Sequence, residues 1–404
     1  MLRRLASSGS LRGAISFALG GVGFALANVL LAAAMPPVQF GLVSLILALM
    51  QFGLSCGPLG LDVVAKRHRP RVNAALVSRA AASALGVAAA LTLAAAWFYG
   101  LDLTLSLLLC AGAALAAGNN IVCGVYQSRS QLGWAFALAQ GQNYVLLLLA
   151  LWALLSPVRS AAAVLAGVVA GYLAANVIGW VRAHRAQEDC APLDARVMRA
   201  EGLASVSIGL ALQLLWQLER IVIPRLASVS ELATYAALAA IVAAPFRVTQ
   251  FGVGFTLIDR LRRAANRAEA RAVLRHEIAV GLLLVAASVA GVLIAAPLVF
   301  HGILHDKYLI GARLMTVTIA VGVVRVAEGF STASVTALGT ADSLARISLL
   351  GWAAVLIGAA GATLGSHWGL AGIVGGTLLG WLTLCGGGCV LAVRAFHRRF
   401  SHEH

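Results

Sequence analysis

The chain has 404 residues, of which 61% are hydrophobic and only 11% charged, with a mean hydropathy of +0.91 and a formal net charge of +15. A globular domain in water could not cover such a sequence with a polar surface, so the composition excludes a soluble enzyme or binding module and points to an all-α integral membrane protein. The positive charge sits in short breaks between apolar runs, which suits loops beside a membrane rather than a nucleic-acid site, and no nucleic-acid partner is expected.

In chain order, apolar stretches of the length needed to cross about 30 Å of hydrocarbon are expected over residues 14–34, 40–62, 80–98, 104–125, 132–154 and 161–181, and then over 202–223, 232–258, 278–300, 310–338, 347–364 and 370–392. The first is longer than the apolar core of a signal peptide, and Pro36 and Pro37 crowd any cleavage position, so it reads as a span. The sequence predicts a polytopic protein with 12 transmembrane helices in two six-helix lobes around a central cleft: an N-terminal lobe, 1–181, an inter-lobe linker, 182–201, and a C-terminal lobe, 202–404.

If the side alternates at each span, the basic clusters fall together. Arg3, Arg4 and Arg12 precede span one, Lys66 to Arg79 follow span two, Arg182 to Arg199 follow span six, Arg260 to Arg275 follow span eight, and Arg394 to Arg399 close the chain. The bias predicts N-in and C-in topology, with the linker on the cytoplasmic side of the membrane. Outer loops are short, as in "PPVQ" and "SPVRS", and offer no domain for a protein or glycan. The inner segments "VRAHRAQEDCAPLDARVMRAEG" and "DRLRRAANRAEARAVLRHE" read as basic, partly helical surfaces resting on anionic membrane lipids.

The two halves look duplicated. "QFGLVSLILAL" from Gln39 and "ELATYAALAAI" from Glu231 open matching spans, and those spans close on "LGLDVVAKRHRP" with Asp62 and "TLIDRLRRAANR" with Asp259. Six spans per repeat would keep the repeats parallel. Gly372, Gly376 and Gly380, and likewise Gly167 and Gly171, are spaced for close helix packing. The six cysteines show no disulfide framework, and Cys385 and Cys389 share a helix face without a nearby third metal ligand.

Polar groups inside the spans are the candidate site. In "GVVRVAEGF", Arg325 and Glu328 lie three residues apart near the middle of a span, and Arg247 lies at similar depth in span eight. An isolated charge there costs at least about 2.5 kcal/mol. Two readings stand side by side: a structural pair that neutralises itself across one helix face, or a cationic cavity in which Arg325 and Arg247 accept an anionic head group and Glu328 orients Arg325 or titrates. "LLWQLERIVIPRL" adds Gln213, Trp216 and Gln217 on one face, and Glu219 and Arg220 close enough to the outer boundary to snorkel. Asn119, Asn120, Gln140, Gln142 and Asn143 could serve sugars in the other lobe or cement helices. Neither of the two lysines, Lys66 and Lys307, follows a glycine-rich phosphate loop, so an ATP-driven pump and a catalytic centre are both disfavoured, and no cofactor is called for.

Several stretches carry a resemblance: "ANVLLAAAMPPVQFGLVSLILALMQFGLSCGPLGLDVVAKR", "QLERIVIPRLASVSELATYAAL", "HDKYLIGARLMTVTIAVG", and "ALGTADSLARISLL" leading to "HWGLAGIVGGTLLG". In this order the chain resembles polysaccharide biosynthesis proteins, the Wzx-type O-antigen and exopolysaccharide flippases of the multidrug/oligosaccharidyl-lipid/polysaccharide (MOP) exporter superfamily. The resemblance implies a transporter that flips undecaprenyl-diphosphate-linked oligosaccharide to the periplasmic leaflet by alternating access. It also implies coupling by H+, Na+ or membrane potential, action as a monomer, and contact with other polysaccharide assembly proteins. Drug exporters of the superfamily often place a carboxylate in span one, where this chain has Asn28 and no acid. The alternatives are a cation-coupled multidrug exporter and, outside transport, a membrane-embedded glycan polymerase or ligase, which would need a sizeable outer loop.

Overall fold

The computed structural model describes residues 9–157, 159–185 and 195–400. Arg3, Arg4, Cys190 and the 186–194 part of the expected linker lie outside the described residues. Among those described the secondary structure is helical apart from one isolated bridge residue: α1 (Gly9–Ala34), α2 (Pro37–Cys56), α3 (Leu61–His68), α4 (Ala74–Tyr99), α5 (Leu103–Ser128), α6 (Leu132–Leu155), α7 (Ala161–Arg185), α8 (Ala195–Leu226), α9 (Val229–Arg263), α10 (Arg267–Gly302), α11 (Ala312–Leu338), α12 (Ala341–Gly365) and α13 (Gly369–Arg399). Eleven of the twelve expected spans each fall on one long helix to within two residues, and the second, 40–62, runs past the end of α2 into the additional helix α3. Nine stretches among the described residues are long and apolar enough to cross a membrane, one of them, Asp342–Arg399, running across α12 and α13.

The boundaries follow local chemistry. Pro37 occupies the first turn of α2, where a missing N–H costs nothing. Asn73, Asp102 and Asn266 cap α4, α5 and α10 by accepting the N–H of Leu76, Leu105 and Glu269 respectively. Gly100 ends α4 at φ 66°, a left-handed position that a side chain would strain. One expected boundary is corrected: span two does not run to residue 62. It stops at Cys56, and Leu59 (φ 47°) and Gly60 (φ 81°) turn the chain into α3. Asp62 therefore sits in the first turn of a separate short helix, paired with Lys66 at 3.2 Å. Asp259, its counterpart in the repeat, lies within α9, with no chain turn before it.

The chain divides into two compact units within α9, after Ala233. In the first, α5 is the central helix and packs against α2, α3, α4, α6 and α7, while α8 packs against α2 and α3. At one end of this unit Val122, Val125, Tyr126, Leu138 and Ala183 form an apolar cluster. Arg129 closes it by donating to the carbonyls of Ala183 (2.8 Å) and Pro70 (3.4 Å). In the second unit α13 packs against α11 and α12, and Leu257, Leu261, Ala270, Ala333 and Phe400 form the matching cluster. The pairing of α12 with α13 rests on absent side chains: a Cβ on Gly376 would strike the backbone of Gly361, and one on Gly365 that of Gly372.

Two helices bury little of their apolar surface. Leu85, Leu93 and Trp97 on α4, and Leu282, Leu283, Leu293 and Ile294 on α10, are exposed. Apolar side chains exposed in such numbers along whole helices suit lipid and not water. The protein is a multi-pass membrane protein.

Candidate functional site

In the second unit, α9 and α11 are held in register by two close contacts. Phe246 fills the space left by Gly322, and Gln250 lies against Gly329. Arg247, between those two aromatic and amide anchors, is thus level with Arg325. Thr249 Oγ1 donates to the Pro245 carbonyl at 3.1 Å, beside the proline that interrupts α9.

Arg325 is only 7% exposed, and its guanidinium carbon stands 4.6 Å from the centre of the Trp381 ring on α13. A planar cation stacked on an indole face is held by the ring quadrupole, typically for about 0.5–2 kcal/mol and more when desolvated. Glu328 is 4% exposed. Its Oε2 accepts from Gln250 Nε2 at 3.1 Å and its Oε1 from Thr332 Oγ1 at 2.6 Å, while Ser331 Oγ donates to its backbone carbonyl at 2.8 Å. Arg247 is half-buried. Gln250, Thr332 and Trp381 complete a cluster for which the sequence names only Arg247, Arg325 and Glu328. Thr332 sits one turn beyond Glu328, a spacing that signals contact; Gln250 is a polar residue inside a span; Trp381 gives no signal in the sequence.

In the first unit, Glu219 and Arg220 are buried in place of reaching a surface, at 1% and 8% exposure. The Arg220 guanidinium carbon lies 6.0 Å from the Phe24 ring centre and borders a cavity shared with Gln51, Gln142, Asn143 and Tyr172. The cavity offers about 20 Å³ to water centres, room for one or two ordered waters and too little for a sugar ring. The amide N–H groups around it are turned away: Gln142 Nε2 donates to the Val168 carbonyl at 3.3 Å and Asn143 Nδ2 to Gln140 Oε1 at 2.8 Å.

The remaining residues are dispersed. Asn119 Nδ2 donates to the Leu138 carbonyl (3.0 Å) and Asn120 Nδ2 to the Leu54 carbonyl (3.2 Å), so these amides tie α5 to α6 and α2. Gln217 is buried and its Oε1 has no hydrogen-bond partner among the described residues, while Gln213 and Trp216 are half-buried on the same helix. Of the stretch from Gln213 to Arg220, only Arg220 borders the cavity.

The arrangement of long helices is that of MOP-superfamily transporters. The chain is similar to a multidrug resistance MATE family transporter of that superfamily in an inward-facing conformation, with a TM-score of 0.68, 14% identity, and 95% of this chain and 96% of that one covered. An outward-facing conformation of a multidrug resistance MATE family transporter matches with a TM-score of 0.56, 14% identity and 98% coverage of each chain. A MOP superfamily transporter from Pyrococcus furiosus, described as having a binding pocket of reverse polarity that suggests a different function, matches with a TM-score of 0.51, 12% identity, and 97% and 96% coverage. These likenesses establish the fold. The polysaccharide biosynthesis protein family matches residues 10–248, more than half of the sequence, and the chain belongs to that family. No curated protein matches it by sequence.

Proposed function

We propose that the protein flips undecaprenyl-diphosphate-linked oligosaccharide from the cytoplasmic to the periplasmic leaflet of a bacterial inner membrane, by alternating access, for O-antigen or exopolysaccharide synthesis. Family membership supports polysaccharide assembly, and the fold supports transport. The observation that carries the choice of cargo is the guanidinium of Arg325 stacked on Trp381 with Arg247 level with it on α9. A diphosphate crossing hydrocarbon needs fixed positive charge beside it, and Arg supplies a permanent charge with several donors. Glu328 accepts hydrogen bonds from Gln250 and Thr332, which keeps one acid beside these bases.

Each half would act as one lobe, 1–181 and 202–404, joined by 182–201. The same internal device recurs in both, supporting duplication. Arg69 Nε donates to the Ser128 carbonyl at 2.7 Å, and Arg262 Nη2 to the Thr336 carbonyl at 3.2 Å. Arg69 directly follows α3 and Arg262 stands in the last turn of α9, and each closes on the last turn of the fourth span of its repeat, in α5 and α11. N-in, C-in orientation, a monomer and coupling by H+, Na+ or membrane potential belong to the same reading.

The test is deletion of the gene followed by identification of the lipid-linked glycan that accumulates. The proposal expects a completed oligosaccharide unit on undecaprenyl diphosphate, held on the cytoplasmic leaflet. Unchanged glycan export with new sensitivity to cationic drugs would point to multidrug export instead.

A further inference from the structure

The basic segment joining α9 to α10 is sorted by the structure into two sets. Arg260 pairs with Glu277, Arg262 donates to the Thr336 carbonyl, and Arg267 lies 3.5 Å from His397 Nδ1, so these three hold the second unit together. Arg271 and Arg275 do not take part. Both are exposed, and among the described residues neither has a hydrogen bond or an ion pair. They stand four residues apart on α10 and therefore share a face, with Cβ atoms about 6 Å apart.

That face continues as an apolar stripe. Ile278, Leu282 and Leu293 follow at helical spacing and are 45%, 66% and 55% exposed. From Arg275 to Leu293 the helix rises by about 27 Å, which is most of a hydrocarbon layer. The acids of the segment point elsewhere: Glu277 binds Arg260, and Glu269 accepts the Ala265 N–H at 2.8 Å. One helix face thus presents two unopposed guanidinium groups and then a ladder of exposed aliphatic side chains.

We propose that this face of α10 is a binding site for an anionic phospholipid. The two guanidinium groups grip its phosphate and its acyl chains lie along Ile278, Leu282 and beyond. Charge complementarity selects the head group, since a planar guanidinium donates to two phosphate oxygens at once. The apolar continuation selects a lipid over a nucleic acid or a soluble acidic protein, neither of which would cover a stripe exposed to hydrocarbon. The site lies within one unit, and its assignment does not depend on the cargo proposed above.

The full-length protein, reconstituted in nanodiscs of phosphatidylcholine with a minority of phosphatidylglycerol, is released and its retained lipids are counted by native mass spectrometry. The wild type should retain phosphatidylglycerol over phosphatidylcholine on the order of tenfold, given two basic residues at a head-group surface. Arg271→Gln with Arg275→Gln should lose most of that enrichment, and Arg394→Gln, an exposed arginine elsewhere, should keep it. If the double variant is poorly recovered, the two single variants should show intermediate enrichment. Wild-type enrichment in the double variant, or in both singles, overturns the site. Displacement of phosphatidylglycerol by added polyprenyl diphosphate in the wild type but not in the double variant would also overturn it, by assigning the face to the transported lipid.

Discussion

Gln250 donates its Nε2 to Glu328 Oε2 at 3.1 Å, joining α9 to α11 five residues beyond Pro245, where α9 lacks a backbone N–H. The bond does two things at once. It satisfies a buried carboxylate, and it braces a helix at its interrupted point with Thr332 supplying the second donor. Glu328→Gln keeps the shape and one carbonyl acceptor, whereas Gln250→Leu leaves a carboxylate oxygen buried without its donor, a loss of about 1–3 kcal/mol. Thermal unfolding of purified protein should therefore show a clear drop in Tm for Gln250→Leu and a smaller one for Glu328→Gln. Equal Tm values would mean the bond carries no weight.

Arg325 and Arg247 are expected to matter for transport and not for insertion. Arg325→Ala and Arg247→Ala should insert at normal levels and lose most glycan export. Arg325→Lys should fall between wild type and alanine, because an ammonium keeps the charge but not the planar stack on Trp381. Export assays normalised to membrane protein would read this series, and wild-type export by both alanine variants would assign the arginines to packing.

The polar residues of the first unit should separate into two groups. Asn120→Ala removes a donor to the Leu54 carbonyl and should lower Tm by the equivalent of about 1 kcal/mol while leaving transport per folded molecule intact. Arg220→Ala empties the cationic wall of the cavity beside Phe24 and should reduce transport. Flux measured on equal amounts of folded protein distinguishes the two.

Gly376→Val should prevent α12 and α13 from closing, since even a Cβ there meets the Gly361 backbone. Overpacking costs about 1–3 kcal/mol when side chains can yield, and a backbone collision leaves them no such freedom. Gly86→Val, where a Cβ meets nothing, is the matched control. Monodisperse yield after solubilisation should fall for the first and hold for the second.

Much of the fold is legible in the sequence because the bilayer demands long apolar runs, and every expected span but the second lies on one long helix. The break after Cys56 is not legible by the same rule. Gly57, Pro58, Leu59 and Gly60 keep the hydropathy high while the backbone turns, and only the Gly-Pro pair hints at it. The site is legible to a lesser degree. Charges inside spans announce Arg325, Glu328 and Arg247, but the Trp381 that receives Arg325 lies 56 positions further along on α13. Amides carry least information: Asn119 and Asn120 satisfy helix carbonyls while Gln142 borders a cavity, and nothing in their local sequence separates those roles.

The most direct test is reconstitution of the purified protein in liposomes carrying undecaprenyl-diphosphate-linked oligosaccharide, with a membrane-impermeant glycosidase added outside to report which leaflet holds the glycan. The account predicts that wild-type protein exposes glycan initially held on the inner leaflet, and that the Arg325→Ala protein, inserted to the same level, does not. Movement of cationic dyes with the glycan left on its original side would contradict it.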